Sequence, residues 1–241
     1  MSPEQQPHPS TVGEVLEYLG RPSLRQQPME GLLQRVTDLV KAVMPGRSEA
    51  SVTLLVRARP STVVATGRLA VDLDEGQYER GHGPCLHAAA TRETTEIPDT
   101  RSETRWPDHA RRAAEHGNLS SLSVPLVIDG PQVSGAMNIY ARQPNAFDEA
   151  SRSAATRIGP YAAVAAGNLH LYRCAVKRAV DLEAALASRA VIEQAKGILI
   201  ERHDVDAYGA FRILARASVH THTTVRRLAE HLVRTGELGR R

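Results

Sequence analysis

Several features common in proteins are scarce or missing in this sequence. Aromatic residues make up only 4% of the 241 residues, so a core must be built mainly from aliphatic side chains and alanine. No apolar run approaches the roughly 20 residues that a membrane-spanning helix needs. The opening stretch, MSPEQQPHPS, has neither the basic start nor the apolar segment of a signal peptide. We therefore expect a cytoplasmic protein with no membrane partner.

Cysteine is also scarce, and the two cysteines, Cys85 and Cys174, lie far apart and outside any CxxC motif. This pattern is typical of reduced thiols in a cytosolic protein. His82 and His87 flank Cys85, but a metal site usually takes three or four converging ligands and no fourth candidate is near, so we expect no metal. We favour a structural Cys85 that packs beside a pocket. A catalytic Cys85 is an alternative, since a helix N-terminus lowers a thiol pKa.

Positive charge is concentrated at the end of the chain. From Arg189 onward there are 10 Lys and Arg against 6 Asp and Glu, a net charge of +4, whereas the rest carries 20 against 21. A basic segment is weak evidence for a polyanionic partner, because an unevenly charged solvated surface produces the same imbalance.

The first part of the chain alternates short helical and extended patterns. Residues from Met29 to about Gly46 have helical spacing, and SVTLLVRA and TVVATG predict strands. Short helices are predicted for Cys85–Thr91 and Asp108–His116, and two further strands, SSLSVPLVIDG and VSGAMNIYAR, are predicted to meet at a turn. This order of elements indicates an α+β domain in which helices pack against an antiparallel sheet.

From Phe147 onward nearly every pattern is helical. Asp148 is a candidate N-cap, and Gly159-Pro160 is expected to kink the helix or split it. A short apolar stripe follows, and it fits either a seam between two helices or packing against the preceding domain. The stripe consists of Val176, Ala179, Leu182 and Leu186.

Three more helices are predicted after Ser188. The first covers about residues 189–202, the second begins at the N-cap Asp206 and ends near residue 217, and the third begins near Thr221 or Thr223. Gly236 is the predicted C-terminal stop of the third helix. The apolar stripe of the first helix consists of Val191, Ile192, Ala195, Ile198 and Leu199.

The dipeptide Lys196-Gly197 lies in the middle of the first of these helices, where a glycine costs about 1 kcal/mol relative to alanine. A helical wheel puts Gly197 away from the apolar stripe and puts Lys196 on a border of it with Arg189 and His203. Core packing therefore does not require this glycine. We expect a ligand backbone or a partner helix to approach closely at Gly197.

Two stretches of the tail, SRAVIEQAKGILIERHDVDAYGAFRILARAS and TVRRLAEHLVRTGEL, resemble an ANTAR domain. This family is a three-helix RNA-binding module of bacterial transcription antiterminators, and the similarity covers about residues 175–238. Lys196-Gly197 matches its most recognisable dipeptide. The turn at His222 departs from the family, which more often has Asn or a basic residue there. The resemblance implies binding of paired small RNA hairpins in a nascent leader transcript, which stops a terminator from forming.

The candidate RNA contacts follow from the chemistry of their side chains. Basic groups neutralise phosphates, and amides and hydroxyls bond to base edges or the backbone. Tyr208 is a candidate for base stacking, although an aromatic residue at helical spacing more often lies in a core. The candidate RNA-binding residues are Arg189, Gln194, Lys196, Gly197, Arg216, Ser218, Thr221, His222, Arg226 and Arg227.

The front segment resembles a GAF domain, a small-molecule sensing fold of signalling proteins, over about residues 28–170. The strings GHGPCLHAAATRETTEIPDT, RWPDHARRAAEHGNLSSLSVPL and GAMNIYARQPNAFDEA carry this resemblance. His82 stands where the family usually has an acidic residue. The resemblance implies a ligand pocket, for which Cys85 and His87 are candidate lining residues, but the fold does not identify the ligand, and no cofactor is required.

These patterns predict a mobile segment at residues 1–28, a GAF-like sensor domain at 29–170, a helical connector at 171–188 and an ANTAR domain at 189–238. We expect a signal-responsive RNA-binding antitermination regulator, not an enzyme, that forms a homodimer through the connector.

Three alternatives remain. The last two helices could form a DNA-binding helix-turn-helix, although the stretch ASVHTHTT is longer than the usual turn of about three or four residues and has no glycine. The tail could instead dock another regulatory protein. A redox enzyme centred on Cys85 is the third alternative, although the front segment has no second cysteine to resolve an oxidised thiol.

Overall fold

The computed structural model describes residues 29–45, 47–128 and 133–238, and the chain divides into two compact units between Tyr172 and Arg173. The segment expected to be mobile, residues 1–28, and the turn expected between SSLSVPLVIDG and VSGAMNIYAR lie outside the described residues. None of the helices within the described ranges is long and apolar enough to cross a membrane.

The first unit is built on an antiparallel sheet of five strands in the order β2-β1-β5-β4-β3. The α+β fold with helices against an antiparallel sheet is therefore confirmed. Its elements before the long helix are α1 (Met29–Val43), β1 (Glu49–Val56), β2 (Arg59–Ala65), α2 (Arg68–Arg80), α3 (Pro84–Thr91), β3 (Thr95–Ile97), α4 (Pro107–Glu115), β4 (Ser120–Leu126) and β5 (Val133–Ala141).

One face of the sheet carries the main hydrophobic core. Side chains alternate between the two faces along a strand, and Val52 and Ile139 are among those that point to this face. They belong to the same buried cluster as Val36 of α1 and Ile158 of the long helix that follows β5. Helix α1, which the spacing from Met29 onward predicted, thus forms one layer over the sheet.

The opposite face of the sheet is polar and yet buried. Ser51, Thr53, Ser123 and Asn138 are inaccessible or nearly so, because α2, α3 and α4 cover this face. Alternation of polar and apolar residues in an antiparallel strand ordinarily indicates a solvated face. Here it produces an internal layer of polar side chains.

Helix α2 was not predicted from the sequence. Its helical periodicity is weak, since Asp74, Gly76 and Gln77 share its buried face with Leu69 and Leu73. Polar residues at buried positions conceal the apolar stripe by which an amphipathic helix is recognised. These same polar residues place α2 against the polar face of the sheet.

A single helix, α5 (Glu149–His203), contains both positions where a break was expected. Pro160 lies inside it, and it continues through Ser188 and Arg189 without a break. Gly159 has no Cβ to clash with the proline ring, so the helical conformation is tolerated before Pro160. The predicted cap at the start is present, since the Asp148 carboxylate accepts the Ser151 N–H at 2.8 Å.

The second unit contains the end of α5 and two short helices, α6 (Ala207–Thr221) and α7 (Val225–Thr235). Asp206 caps α6 by accepting the Gly209 N–H at 2.7 Å, as predicted. Thr224 caps α7, and Gly236 ends it with a φ of 75°. The predicted end of α6 was wrong by four residues, because the helix continues through Thr221.

The three helices of the second unit enclose a small aliphatic core. The stripe predicted for the first of them packs here. The fully buried residues of this core are Ala195, Leu199, Ala210, Leu214, Ala229 and Leu232.

The hairpin turn between β1 and β2 is held in an unfavourable backbone conformation. Arg57 and Ala58 have φ values of 52° and 60°, although neither is glycine or asparagine. Two residues with positive φ form the turn that matches the twist of paired strands. A residue other than glycine in this region costs of order 1–3 kcal/mol.

Ala58→Gly is expected to raise the free energy of unfolding by about 1 kcal/mol, because glycine adopts a positive φ without the Cβ clash. Urea unfolding measures the change. Ala90→Gly is the matched control, since Ala90 is exposed in the helical backbone of α3 and glycine there should lower stability. Equal effects of the two substitutions would contradict the strain at Ala58.

Candidate functional site

A network of hydrogen-bonded polar side chains lies between the sheet and helices α2 and α3, and we call it the buried polar layer. Strands β1, β2, β4 and β5 all contribute residues to it. Its members are Ser51, Thr53, Thr62, Asp74, Gln77, Tyr78, Cys85, Ser123, Asn138 and Tyr140.

Asp74 is the only carboxylate of the buried polar layer, and it is completely buried. Its Oδ1 accepts the Tyr140 hydroxyl at 2.5 Å and the Asn138 Nδ2 at 3.0 Å. Its Oδ2 accepts the Thr62 hydroxyl at 2.9 Å. These three donors are neutral, so within the layer no positive charge compensates the carboxylate.

Burial raises the pKa of Asp74 from 3.8 to about 6, and the hydrogen bonds from Tyr140, Thr62 and Asn138 limit the rise. Burial and the nearby Asp74 carboxylate also raise the pKa of Tyr140 and Tyr78. The pKa of Asp74 is therefore shifted toward neutral pH inside the domain. A buried carboxyl with a strongly perturbed pKa is a candidate functional group.

Cys85 lies at the edge of the buried polar layer and also packs among apolar side chains. It is fully buried in a cluster with Ala88, Ala89 and Ala136, as the favoured structural role implies, and its thiol donates to the Thr53 hydroxyl at 3.3 Å and accepts from Asn138 at 3.2 Å. Burial and the Asp74 carboxylate raise its pKa to about 12, whereas the alternative of a catalytic Cys85 relied on a lowered pKa. At the start of α3, the Cys85 N–H donates a hydrogen bond to the Gln77 Oε1 at 2.9 Å.

The structure does not bring His82 and His87 together with Cys85. Both histidines are exposed, while Cys85 is inaccessible. The His87 ring instead packs against Trp106 at a centroid distance of 5.5 Å. Within the described residues no group of His, Cys, Asp and Glu side chains is arranged to hold a metal ion.

A surface cleft of about 570 Å3 lies between β2 and α2. Thr62 and Tyr78 line it, and both also belong to the buried polar layer. The Tyr78 hydroxyl shares hydrogen bonds of 2.8 Å with Thr62 and Thr53, and Thr62 donates to Asp74. Thr62 thus connects the cleft to Asp74 by one hydrogen bond. Cys85 and His87, the pocket residues expected from the sequence, do not line this cleft.

In the second unit, Lys196 and Gly197 occupy different environments on α5. The Lys196 side chain is only 16% exposed, and its ammonium pairs with Glu193 at 2.9 Å. Gly197 is exposed, and a Cβ placed on it would meet no neighbouring group of the described chain within 4 Å. The expectation that core packing does not require this glycine is confirmed.

The other basic candidates lie on exposed parts of all three helices. Arg189, Arg216 and Arg227 are exposed, as is the amide of Gln194. Arg226 is half exposed and pairs with Glu230 at 2.8 Å. Two of the candidate cations, Lys196 and Arg226, are therefore already paired with carboxylates of their own helices.

The turn between α6 and α7 uses the hydroxyl candidates for its own structure. The Ser218 hydroxyl donates to the Thr223 carbonyl at 2.6 Å, and the Thr221 hydroxyl donates to the Ala217 carbonyl at 2.8 Å. His222 adopts a φ of 50° and ends α6. Both hydroxyl protons are thus used within the chain, while their lone pairs stay available to a donor.

The expected length of this connection was wrong. Only His222, Thr223 and Thr224 separate α6 from α7, because the residues before them extend α6. His222 takes the left-handed conformation that a glycine usually supplies. The connection therefore has the length of a helix-turn-helix, and turn length no longer argues against that motif.

Asp74→Asn is expected to raise the free energy of unfolding by about 3 kcal/mol at pH 8 and to change it little at pH 4. Because the folded pKa is raised, stabilisation by the bound proton is fully present below pH 3.8 and is lost as pH rises through about 6. Asparagine preserves the shape, and the Thr62 hydroxyl can turn to accept from its amide. Urea unfolding at the two pH values measures the difference.

The matched control for this substitution is Asp72→Asn on the same helix. Asp72 pairs with Arg68 at the surface at 2.8 Å, and such a pair contributes about 0.3–0.5 kcal/mol. A stability gain for Asp74→Asn that is independent of pH would contradict the raised pKa.

Three solved structures that are similar to the chain are the following. The reduced form of fRMsr from Staphylococcus aureus is 17% identical, with a TM-score of 0.49 over 65% of this chain and 96% of that one. A free methionine-R-sulfoxide reductase from Neisseria meningitidis, solved with its substrate, is 16% identical, with a TM-score of 0.49 over 68% and 89%. The GAF domain of an Acinetobacter phosphoenolpyruvate-protein phosphotransferase is 15% identical, with a TM-score of 0.48 over 71% and 97%.

A search of curated proteins finds no match to the chain. Family models match two stretches: a GAF domain at residues 26–166 and an ANTAR domain at residues 180–233. At the level of these families, a GAF domain followed by an ANTAR domain is the composition of a signal-regulated regulator. The chain therefore belongs to the GAF domain family and carries an ANTAR domain behind its GAF domain.

Proposed function

We propose that this protein is a cytoplasmic regulator that senses a signal with its GAF domain and binds RNA with its ANTAR domain. Binding of paired hairpins in a nascent leader transcript would prevent a terminator from forming. The observation that carries the proposal is the ANTAR match at residues 180–233, which covers all the candidate RNA-binding residues. The comparisons support an RNA-binding role at family level. The binding of paired hairpins in leader transcripts is the part that we propose.

Exposed cations on the ANTAR domain support an RNA partner. Arg189, Arg216 and Arg227 present guanidinium groups to solvent. Lys196 and Arg226 add charge once their carboxylate partners are displaced, and pairs between neighbouring turns of one helix contribute only about 0.2–0.5 kcal/mol. Phosphate groups therefore compete readily for both side chains. Gly197 leaves open space beside Lys196 for a close approach.

The cleft between β2 and α2 is the proposed ligand site of the GAF domain. A small molecule that contacts Tyr78 or Thr62 would alter hydrogen bonds that continue to Asp74. Because the buried polar layer joins β1, β2, β5, α2 and α3, a change at one member is felt by several elements. The lining is mainly apolar and includes Glu75, which favours a small, partly apolar ligand.

We also propose a homodimer formed through α5. The predicted stripe is exposed, with Leu182 at 61% and Leu186 at 59%, and Val176 is 44% exposed. Exposed apolar side chains at spacings of three and four are typical of a helix that pairs with another. A second copy of the same helix is the partner we propose for this stripe.

A regulatory rather than enzymatic role is part of the proposal. The thiolate is the reactive form of cysteine, and the raised pKa of Cys85 keeps its thiol protonated at neutral pH. Its complete burial also keeps substrates away from the sulfur. Both observations argue against a redox enzyme centred on Cys85.

DNA binding is the second candidate function, because the connection between α6 and α7 has the length found in helix-turn-helix motifs. In such a motif the second helix reads the major groove. A preference for duplex DNA over hairpin RNA would favour this candidate. The proposal of RNA binding expects the reverse preference.

Lys196→Ala is expected to weaken hairpin binding and to lower the slope of log K against log salt by about 1, because one phosphate contact is lost. Glu193→Gln is expected to have the opposite effect, since it releases Lys196 from its ion pair. Gel shifts with paired leader hairpins at several salt concentrations measure both. Arg226→Ala should weaken binding in the same way as Lys196→Ala.

Glu201→Gln is the matched control, because Glu201 is an exposed carboxylate of the same helix and its loss changes the net charge equally. Glu193→Gln should strengthen binding more than Glu201→Gln does, and this excess should vanish in a Lys196→Ala background. Binding that is unchanged by Lys196→Ala and by Arg226→Ala would overturn the proposed RNA surface.

Leu182→Glu combined with Leu186→Glu is expected to convert a dimer into a monomer, because charges at a helix seam are desolvated without partners. Light scattering of the full chain measures the mass. Ala184→Glu is the control, since Ala184 is exposed and points about 160° away from both Leu182 and Leu186. A wild-type protein that is monomeric with and without RNA would rule out the dimer.

A further inference from the structure

Helix α6 has apolar residues on two opposite sides. Ala210 and Leu214 are fully buried in the core of the ANTAR domain. On the other side Tyr208 is 70% exposed, Phe211 is 44% exposed and Val219 is 73% exposed. A helix that is apolar on both sides ordinarily has a partner on each. Within the described residues the second side of α6 is uncovered.

The exposed residues and the half-buried Ala215 form one continuous surface. At about 100° per residue, Tyr208, Ala215 and Val219 fall within about 40° of one another. Phe211 lies about 60° to one side of Tyr208, and Arg212 lies about 40° to the other. We call these residues the outer face of α6, and they extend over the whole length of the helix.

Helix α6 carries positive charge and no negative charge. The helix contains Arg212 and Arg216 and has neither Asp nor Glu. The Arg212 guanidinium lies over the Tyr208 ring, with its Cζ 6.0 Å from the ring centroid. An exposed aromatic ring with an arginine beside it, and no carboxylate on the helix, suits an anionic partner that also has flat apolar surfaces.

We infer that the outer face of α6 receives unpaired bases of the hairpin RNA, with Tyr208 and Phe211 as the stacking residues. This inference rests on the proposed function. Proteins recognise RNA loops by stacking splayed bases on aromatic side chains and arginine planes. Arg212 lies close enough to Tyr208 to contact the same nucleotide through its phosphate or its base.

A second copy of the chain fits this face less well than RNA does. A contact between two identical surfaces would bring the outer face of one α6 against the same face of another. Arg212 and Arg216 of both copies would then approach with no acidic residue on either helix to compensate them. Nucleic acid supplies the negative charge that such a contact lacks.

The test begins with an RNA hairpin selected by the full-length protein from a pool with a randomised loop. Tyr208→Ala is expected to weaken binding of this hairpin roughly 5- to 150-fold, the contribution of one stacked base. Tyr208→Phe keeps the ring and should bind almost as the wild type does. Phe211→Ala should weaken binding in the same range, and circular dichroism should show that the helices of each variant are retained.

Two readouts distinguish stacking from other roles of Tyr208. The salt dependence of binding should be unchanged by Tyr208→Ala, because no phosphate contact is removed, whereas Lys196→Ala lowers it. With 2-aminopurine in the loop, the wild type should quench the fluorescence of the base and Tyr208→Ala should not.

The outcomes separate this inference from the proposed function. If no hairpin is selected, RNA binding itself fails. If a selected hairpin binds Tyr208→Ala and Phe211→Ala as tightly as the wild type, RNA binding stands and the inference about the outer face is overturned. Loss of the dimer in Tyr208→Ala, measured by light scattering, would also overturn it, because the face would then be a contact between copies.

Discussion

The burial of one carboxyl group organises the GAF domain. Asp74 has no cation beside it in the buried polar layer, so its two oxygens depend on hydroxyl and amide donors from β2 and β5. A buried polar group without hydrogen bonds would cost several kcal/mol, so these donors must be in place when α2 docks on the sheet. The fit of α2 to the sheet thus depends on these polar contacts together with the buried Leu69 and Leu73, while the apolar face of the sheet carries the larger hydrophobic cluster.

The ANTAR domain is organised in the opposite way. Its core is small and aliphatic, and its polar and aromatic residues lie outside. Capping side chains at Asp206 and Thr224 and the hydroxyl bonds of the turn define where the helices begin and end. Because so few groups form the core, most of each helix surface is available for contacts with a partner.

Regular apolar periodicity made much of this structure predictable from sequence. The spacing in α1, the β-branched strands and the stripe of Val191 to Leu199 all identified buried faces, and Asp206 and Gly236 marked helix ends correctly. Helix α2 was missed because Asp74 and Gln77 interrupt its buried face.

The candidate sites were harder to predict for physical reasons. Asp74, Tyr78 and Asn138 are distant in sequence and meet only through the pairing of strands and the docking of α2. Conversely, Cys85 and His87 are neighbours in sequence but point into different surroundings, one buried and one exposed. The extent of α6 was misjudged because His222, rather than a glycine, takes the positive φ that ends it.

The turn between α6 and α7 has a consequence for the thermodynamics of binding. The Ser218 and Thr221 hydroxyls and the short connection leave this segment little conformational freedom. The end of α6 and the start of α7 therefore present their side chains as a preorganised pair. A partner bound across both helices pays little conformational entropy on the protein side, and the ordering that accompanies binding falls mainly on the partner.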